Sequence, residues 1–201
     1  LDPGIKMGFL LDNLDWYPEV ELVNNIVRNN RARGFLVRSP RNCICEGNYF
    51  SSMDQAISIH AGIEGIWYES GFVGEMIIRD NYFADGVYAG RERAIIDFGT
   101  EDSDDPYVFK KIIIENNEFK TFDPLIMNPE RVDTLIIRNN LISKSDTYPP
   151  LFKDNPLIKI SRVNYSLVSG NSIKDYDKDD ISVDKFSEPN FHMENNQWEN
   201  E

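Results

Sequence analysis

Short runs of alternating apolar and polar residues recur along the chain, and each run ends on the same pattern. One or two polar residues follow the alternation, then an Asn, one residue of any kind and a further apolar residue. The seven copies lie at residues 20–27, 43–50, 76–83, 112–119, 135–142, 166–173 and 191–198, with their asparagines at 25, 48, 81, 117, 140, 171 and 196. Alternation with many β-branched residues predicts strands, and repetition at intervals of 23 to 36 residues predicts a solenoid.

A second short apolar run follows each of the first six copies. These runs lie at residues 34–37, 56–59, 94–97, 125–127, 157–160 and 181–183. Two or three short strands per turn predict an all-β fold, a right-handed parallel β-helix of about seven coils. We expect residues 1–201 to form one domain of this kind. A leucine-rich repeat fits less well, because its Leu pattern and its helical return are absent.

The repeated asparagines are expected to be structural. Asn tolerates the left-handed backbone conformation that a sharp corner between strands requires. In stacked coils the amides would lie above one another and bond along the stack at the strand spacing of roughly 4.8 Å. The apolar residue two positions later should face inward, so that Phe50, Phe83 and Phe119 stack.

Three coils are longer than the shortest ones. The additional residues include 61–71, 99–106 and 143–150. Insertions in solenoids become loops on the rim, where they commonly wall a groove on one face. The insertions therefore predict a groove for a ligand.

Charge and composition narrow the class of ligand. The 201 residues carry 21 basic and 34 acidic side chains, a net charge of −13, which disfavours nucleic acid and anionic membranes as partners and leaves neutral carbohydrates. Cys43 and Cys45 stand two apart and are expected to be buried thiols. His60 and His192 lie 132 positions apart, and the acidic turn at 102–105 lacks the calcium-loop pattern, so we expect neither a metal site nor a cofactor.

The densest mixture of aromatic and charged residues lies between positions 29 and 71. An aromatic ring packs on the C–H face of a sugar, and guanidinium or carboxylate groups bind its hydroxyls. Alignment of Phe35 with Ile57 would stack Arg38 on His60 on the outer surface. A solvated arginine row and a Trp that caps the core explain the pattern equally well. The candidate sugar-binding residues are Arg31, Arg33, Arg38, His60, Trp67 and Glu69.

Glycoside hydrolysis would need two carboxyl groups, roughly 6.5–9.5 Å apart for inversion. Glu69 and Asp97 are the main candidates, with Glu64 and Asp54 beside them, and spacing alone selects no pair. Asp97 aligns with inward positions of earlier coils, namely Ile59 and Val37. It would then be a buried carboxyl group with a raised pKa, unless the strand changes parity there.

Residues 11–83 resemble glycoside hydrolase family 110, the bacterial exo-α-1,3-galactosidases. The resemblance lies in Val-Arg-Asn-Asn-Arg-Ala-Arg-Gly at 27–34, Trp-Tyr-Glu-Ser-Gly at 67–71 and Ile-Ile-Arg-Asp-Asn-Tyr-Phe at 77–83, with shorter matches at 18–20, 39–40, 47–50 and 56–57. It implies a parallel β-helix, metal-free inverting hydrolysis of terminal α-1,3-linked galactose on blood-group-B-type and related glycans, and a periplasmic or secreted location.

The resemblance also implies that more protein is needed for activity. The family's enzymes are longer, and their acidic catalytic residues lie on coils before the matched part. We therefore expect this chain, which opens on Leu1 and not on Met, to be the C-terminal β-helix portion of a longer enzyme and inactive alone. Arg31, Arg33, Trp67 and Glu69 would shape its cleft. A non-catalytic carbohydrate-binding β-helix is the main alternative, and a polyuronate lyase is a third.

An isolated piece of a solenoid exposes strand edges and core at its ends. Self-association through the end coils is therefore expected as well.

Overall fold

The structure is a computed structural model that describes residue 4 and residues 13–64, 67–68, 71–100 and 106–199. These residues form a parallel β-helix, as the repeat predicts. Each coil contributes one strand to a first sheet and one to a second sheet, and both sheets have seven strands in coil order.

The first sheet consists of β1 (Val20–Val23), β4 (Cys43–Glu46), β9 (Val73–Arg79), β12 (Phe109–Glu115), β14 (Val132–Arg138), β17 (Tyr165–Ser169) and β20 (Phe191–Glu194). The second sheet consists of β2 (Ile26–Arg28), β5 (Tyr49–Ser51), β10 (Tyr82–Ala84), β13 (Glu118–Thr121), β15 (Leu141–Lys144), β18 (Ser172–Lys174) and β21 (Gln197–Glu199). Neighbouring strands of both sheets pair in parallel.

The predicted second apolar runs build a third, less regular sheet. Its strands are β3 (Phe35–Val37), β6 (Ile57–Ala61), β11 (Ile96–Thr100), β16 (Ile158–Ile160) and β19 (Ile181–Val183). Met127 connects its two parts, because this residue bridges to Ile96 on one side and to Ile158 on the other. In the connection from β6 to β9, β7 (Ile63–Glu64) and β8 (Trp67–Tyr68) form a small antiparallel hairpin.

Helical structure within the described residues is limited to three short 3-10 turns, at Leu14–Trp16, Lys178–Asp180 and Glu188–Asn190. In the described part of the chain no helix has the length and apolarity to cross a membrane.

The repeated asparagines form a continuous ladder, which confirms the prediction. The side-chain Nδ2 of each donates to Oδ1 of the next: 25 to 48 (3.0 Å), 48 to 81 (2.9 Å), 81 to 117 (2.9 Å), 117 to 140 (3.0 Å), 140 to 171 (2.9 Å) and 171 to 196 (2.8 Å). The same Oδ1 accepts the backbone N–H of the preceding Asn, as at Asn81, which accepts from Asn48 N at 2.9 Å. Buried amides are thus satisfied within the column.

The left-handed corner belongs to a different residue from the one predicted. The residue immediately before each ladder Asn has a φ of 55° to 65°: Asn24, Gly47, Asp80, Asn116, Asn139, Gly170 and Asn195. These are the residue types that tolerate this conformation. The ladder Asn is therefore selected for its side-chain amide, and its predecessor makes the turn.

The core lies between the sheets and repeats from coil to coil. The Phe50 and Phe83 rings stack with centroids 4.9 Å apart, and the Phe83 and Phe119 rings with centroids 4.6 Å apart, as predicted. Cys43 and Cys45 are buried free thiols, also as predicted. Burial raises the pKa of Cys45 to about 12, so this side chain packs as a small apolar group.

Candidate functional site

The outer face of the third sheet carries the candidate site. Strand alternation sends Ile96 and Phe98 into the core and turns Asp97 outward. Asp97 pairs with Ser58, which pairs with Leu36.

The predicted alignment of Asp97 with inward positions was therefore wrong by one residue. Ala56 N donates to Ile95 O, so Ile95 and not Ala94 is level with Ala56. Ala94 is an extra apolar residue in this coil, and a shift of one position moves a side chain to the opposite face of a strand. Asp97 is a buried carboxylate on the outer face of the sheet.

Asp97 is held by donors from three different coils. Its Oδ2 accepts from Gln55 Nε2 at 3.0 Å and from Arg93 Nη1 at 3.3 Å, and its Oδ1 accepts from Asn128 Nδ2 at 3.0 Å. Asn128 Oδ1 in turn accepts from Phe98 N at 2.9 Å, where the regular strand pairing is interrupted. The carboxylate is only 7% exposed, so these bonds fix both its position and its orientation.

A second buried carboxylate lies beside the first. Asp54 is 6% exposed and accepts from Gln55 N at 3.2 Å. Arg91 Nη1 lies 3.6 Å from Asp54 Oδ2, and Arg93 Nε lies 3.9 Å from Asp54 Oδ1. Arg93 therefore contacts both carboxylates, which supplies the positive charge that two neighbouring buried anions require.

The arginines reach this position through the connection between β10 and β11. Val87, with a φ of 62°, donates its N–H to Ser52 O at 3.1 Å, and Ala89 N donates to Met53 O at 2.8 Å. These bonds hold the connection against the preceding coil. The basic residues that follow then lie over Asp54.

Asp97 and Arg93 line a cleft of about 610 Å³ on this face. Its other lining residues are Glu92, Phe98, Gly99, Leu125, Asn128, Asn155, Pro156, Lys159 and Ser182. The formal charges along the cleft cancel, since two side chains are acidic and two are basic. In the described residues, no group of three or more His, Cys, Asp and Glu side chains is arranged to hold a metal ion. The cleft therefore offers hydrogen bonds to a neutral polar ligand.

His60 and Arg38 lie beside this cleft. Phe35 pairs with Ile57, as predicted, and Arg38 Nη2 lies 2.6 Å from His60 Nδ1 in the next coil. The imidazole also covers Gly99, a cleft residue, where an added Cβ would come within 2.5 Å of the ring. The glycine is thus needed for the close approach of the histidine.

Two other predicted sugar-binding residues, Arg31 and Arg33, are not among the residues that line the cleft. Arg31 and Arg33 are exposed in the connection between β2 and β3. Asn30 O accepts from Met53 N at 3.0 Å, so this connection lies one coil before Asp54. The backbone of Trp67 lies in β8, in the hairpin after the third sheet's second strand. Glu69 lies outside the described residues, as do positions 102–105.

The polar site residues that were missed from the sequence include Gln55, Arg93, Asn128 and Lys159. Correct alignment of the second apolar runs would have identified two of them. Asp97, Asn128 and Lys159 are successive outward residues once Ile96, Met127 and Ile158 are placed in one row.

Comparison with known proteins gives consistent relatives. No family model matches the chain. Proteins named alpha-1,3-galactosidase B from Akkermansia muciniphila and Phocaeicola vulgatus are each 36% identical to this chain, over 74% and 79% of its length. A protein of the same name from Bacteroides fragilis is 33% identical over 84% of the chain. The chain spans 19%, 28% and 30% of the length of these three relatives. The similarity confirms a relationship to proteins named alpha-1,3-galactosidase, which the resemblance to glycoside hydrolase family 110 predicts.

Proposed function

We propose that this chain forms a sugar-binding cleft of an exo-α-1,3-galactosidase, which hydrolyses terminal α-1,3-linked galactose with inversion. The chain supplies residues that bind the sugar and shape the cleft, and the longer parent protein completes the catalytic centre. The observation that carries the proposal is the buried Asp97 carboxylate, fixed in the cleft by Gln55, Arg93 and Asn128. The names of the relatives support galactose as the sugar.

Asp97 is suited to accept a hydrogen bond from a sugar hydroxyl. Each carboxylate oxygen can accept about two hydrogen bonds. Oδ2 already accepts two, from Gln55 and Arg93, whereas Oδ1 accepts one, from Asn128. The remaining capacity of Oδ1 is assigned to the ligand. Because the carboxylate is already oriented, binding costs little reorganisation.

Proton transfer is assigned to other groups. Asp97 is engaged by three donors, and that arrangement favours a role in holding substrate. Inverting hydrolysis needs a general acid and a general base roughly 6.5–9.5 Å apart. Glu69 and carboxyl groups elsewhere in the parent protein are the candidates for that pair.

The remaining predicted residues belong to the same proposal. His60 and Arg38 extend the polar surface past Gly99, and Arg31, Arg33 and Trp67 act in the neighbouring coil and hairpin. A periplasmic or secreted location of the parent is proposed with them.

The test compares the parent protein with two variants that remove one charge each. Asp97→Asn should lower kcat/KM on an α-1,3-linked digalactoside by about 10- to 100-fold, the effect of losing a charged hydrogen bond to substrate. Asp80→Asn is the matched control, because Asp80 has a φ of 55°, a conformation that Asn tolerates, and lies at a corner away from the third sheet. Equal rates for Asp97→Asn and wild type would refute the assignment of the cleft.

The stereochemical claim has its own readout. Proton NMR during turnover should show β-galactose as the first anomer released. Early appearance of α-galactose would refute inversion.

A carbohydrate-binding module without turnover is the second candidate. It is favoured by one observation: the lone pairs of Asp97, the buried carboxylate of the cleft, are largely occupied by protein donors. Calorimetry of the parent protein with galactose, followed by an assay for galactose that the same protein releases from the digalactoside, separates the two candidates. Binding without release supports the module, and release excludes it.

A further inference from the structure

The connection between β15 and β16 forms a wall beside the cleft. We call residues 145–156 of this connection the strap. A depression of about 340 Å³, which we call the strap depression, is lined by Glu92 and by residues 150–155 of the strap. Glu92 and Asn155 also line the cleft, so the two spaces share a border. A further depression, of about 220 Å³, shares the lining residues Pro150, Lys153 and Asn155 with the strap depression. The concave surface therefore extends beyond the room needed by one sugar.

The strap is fixed to the preceding coils. Asp123 Oδ1 accepts two backbone N–H groups, from Leu151 at 2.7 Å and from Phe152 at 2.9 Å. At the start of the strap, Ser145 N donates to Thr121 O at 2.9 Å. A wall held in this way is ordered before any ligand arrives, which lowers the entropic cost of binding.

An aromatic contact holds the middle of the strap. The Tyr148 ring meets the Phe122 ring edge-on, with centroids 5.4 Å apart, and lies 6.1 Å from the Tyr88 ring. Phe122 is 4% exposed, so the strap is anchored on a buried side chain. These ring contacts attach the irregular segment to the coils next to the cleft.

The strap depression differs from the cleft in chemistry. Three of its lining residues are apolar: Pro150, Leu151 and Phe152. Leu151 is 51% exposed, so its side chain is accessible to a ligand in the depression. Polar groups stand around them, at Glu92, Lys153, Asp154 and Asn155. Apolar surface with a few polar groups at its edge is the arrangement that takes one face of a sugar ring.

We propose that the strap depression is a second sugar subsite, which takes the residue to which the cleft-bound galactose is linked. The ligand of this surface is then a neutral oligosaccharide and not galactose alone. Asp123 is a positioning residue, which acts by holding the backbone of Leu151 and Phe152. This proposal rests on the proposed function, because it assumes galactose in the cleft.

Calorimetry on the 201-residue chain tests the subsite with two probes, galactose and a thio-linked α-1,3-digalactoside that is not hydrolysed. Wild type should bind the disaccharide about tenfold more tightly than galactose. Leu151→Ala should weaken disaccharide binding about fivefold, the effect of losing part of one aliphatic contact, and leave galactose binding unchanged. Leu141→Ala is the matched control, since Leu141 is also exposed but lies on the second sheet.

The role of Asp123 is tested by a pair of substitutions. Asp123→Ala should weaken disaccharide binding and spare galactose binding, whereas Asp123→Asn keeps the accepting Oδ1 and should restore the affinity. Equal disaccharide affinity of wild type, Leu151→Ala and Asp123→Ala, with galactose binding intact, overturns the subsite alone. If wild type binds neither probe, the proposed function and the subsite both fail.

Discussion

Two columns of side chains run along this β-helix, and they are built on opposite rules. The asparagine ladder at the corner between the first and second sheets uses one residue type in all seven coils. The outward column of the third sheet changes at almost every coil: Leu36, Ser58, Asp97, Asn128, Lys159 and Ser182. The first column is uniform and closed, and the second is varied and borders a cleft.

The difference lies in where the hydrogen bonds go. Each interior ladder amide, such as Asn81, accepts from the coil before and donates to the coil after, so no capacity is left for a ligand. In the third-sheet column, a single hydrogen bond joins Asn128 Nδ2 to Asp97 Oδ1, which leaves both side chains with further hydrogen-bonding capacity. Lys159 forms no ion pair with another described residue. Repetition stabilises the solenoid, and the break in repetition marks the surface that can bind.

The largest effect is expected from breaking the ladder. Asn81→Ala removes the acceptor of Asn48 N–H and Nδ2 and the donor to Cys45 O, all of them buried. We expect a loss of about 3–5 kcal/mol in the free energy of unfolding, measured by urea denaturation followed by circular dichroism. Asn25→Ala is the control: Asn25 is exposed at the start of the ladder and should cost about 1 kcal/mol. Equal losses would show that the column is not a cooperative network.

A smaller loss of stability is expected in the third-sheet column. Asp97→Asn keeps the shape of the side chain but turns one acceptor into a donor among Gln55, Arg93 and Asn128. Because the cleft admits water, we expect a loss of about 1–2 kcal/mol in the free energy of unfolding. The same denaturation experiment measures it. A loss as large as that of Asn81→Ala would make Asp97 a structural residue and weaken its assignment to ligand binding.

The comparison also explains how far the sequence could be interpreted. Everything that repeats was predictable, because the physical demand repeats: the ladder amides, the stacked Phe50, Phe83 and Phe119, and the pairing of Phe35 with Ile57. The position of the left-handed residue was misassigned, since Asn is common both at the turn and in the ladder. Both residues of such a pair, as at Asn116 and Asn117, fit the same local rule.

The site was harder to predict, because its geometry depends on irregular segments. One extra residue, Ala94, moved Asp97 to the opposite face, and no periodic signal marks an offset of that size. The connection that carries Arg93 is shaped by a bond from Val87 to Ser52 O in another coil. Such tertiary contacts leave no pattern in the local sequence.

Asp184 is a carboxylate that differs from Asp97, because each of its two oxygens accepts two hydrogen bonds from the protein. Asp184 accepts from Ser187 Oγ at 2.6 Å, Ser187 N at 2.8 Å, Arg162 N at 3.0 Å and Ser161 Oγ at 3.3 Å. Burial alone would raise its pKa, but these donors, those of Ser187 foremost, outweigh burial and lower the pKa from its ordinary value of 3.8. Such a group stabilises the fold above that ordinary pKa, and the contribution is lost as the pH falls through the lower, folded value.

We therefore expect wild type to lose stability on acidification by an increment that Asp184→Asn lacks. The increment should stay below about 1 kcal/mol, because the group is partly solvated. Urea denaturation at pH 6 and at successive values below 3.8 measures it. Asp179→Asn, at an exposed position on the 3-10 turn Lys178–Asp180, is the control and should follow wild type. An acid response of Asp184→Asn identical to that of wild type would contradict the assignment.

The smallest effect is expected on the outer face of the first sheet, where a third set of polar residues also repeats from coil to coil. Lys111 Nζ lies 3.0 Å from Glu75 Oε1, and the two side chains are 42% and 35% exposed. Lys111→Met keeps the aliphatic stem and removes the charge, and we expect it to cost less than about 0.5 kcal/mol, with the difference vanishing in high salt. Urea denaturation at low and high ionic strength measures this. Repetition without burial leaves water as an equal partner for each charge, so a loss approaching that of Asn81→Ala would mean that repetition alone, and not burial, determines which polar columns stabilise the β-helix.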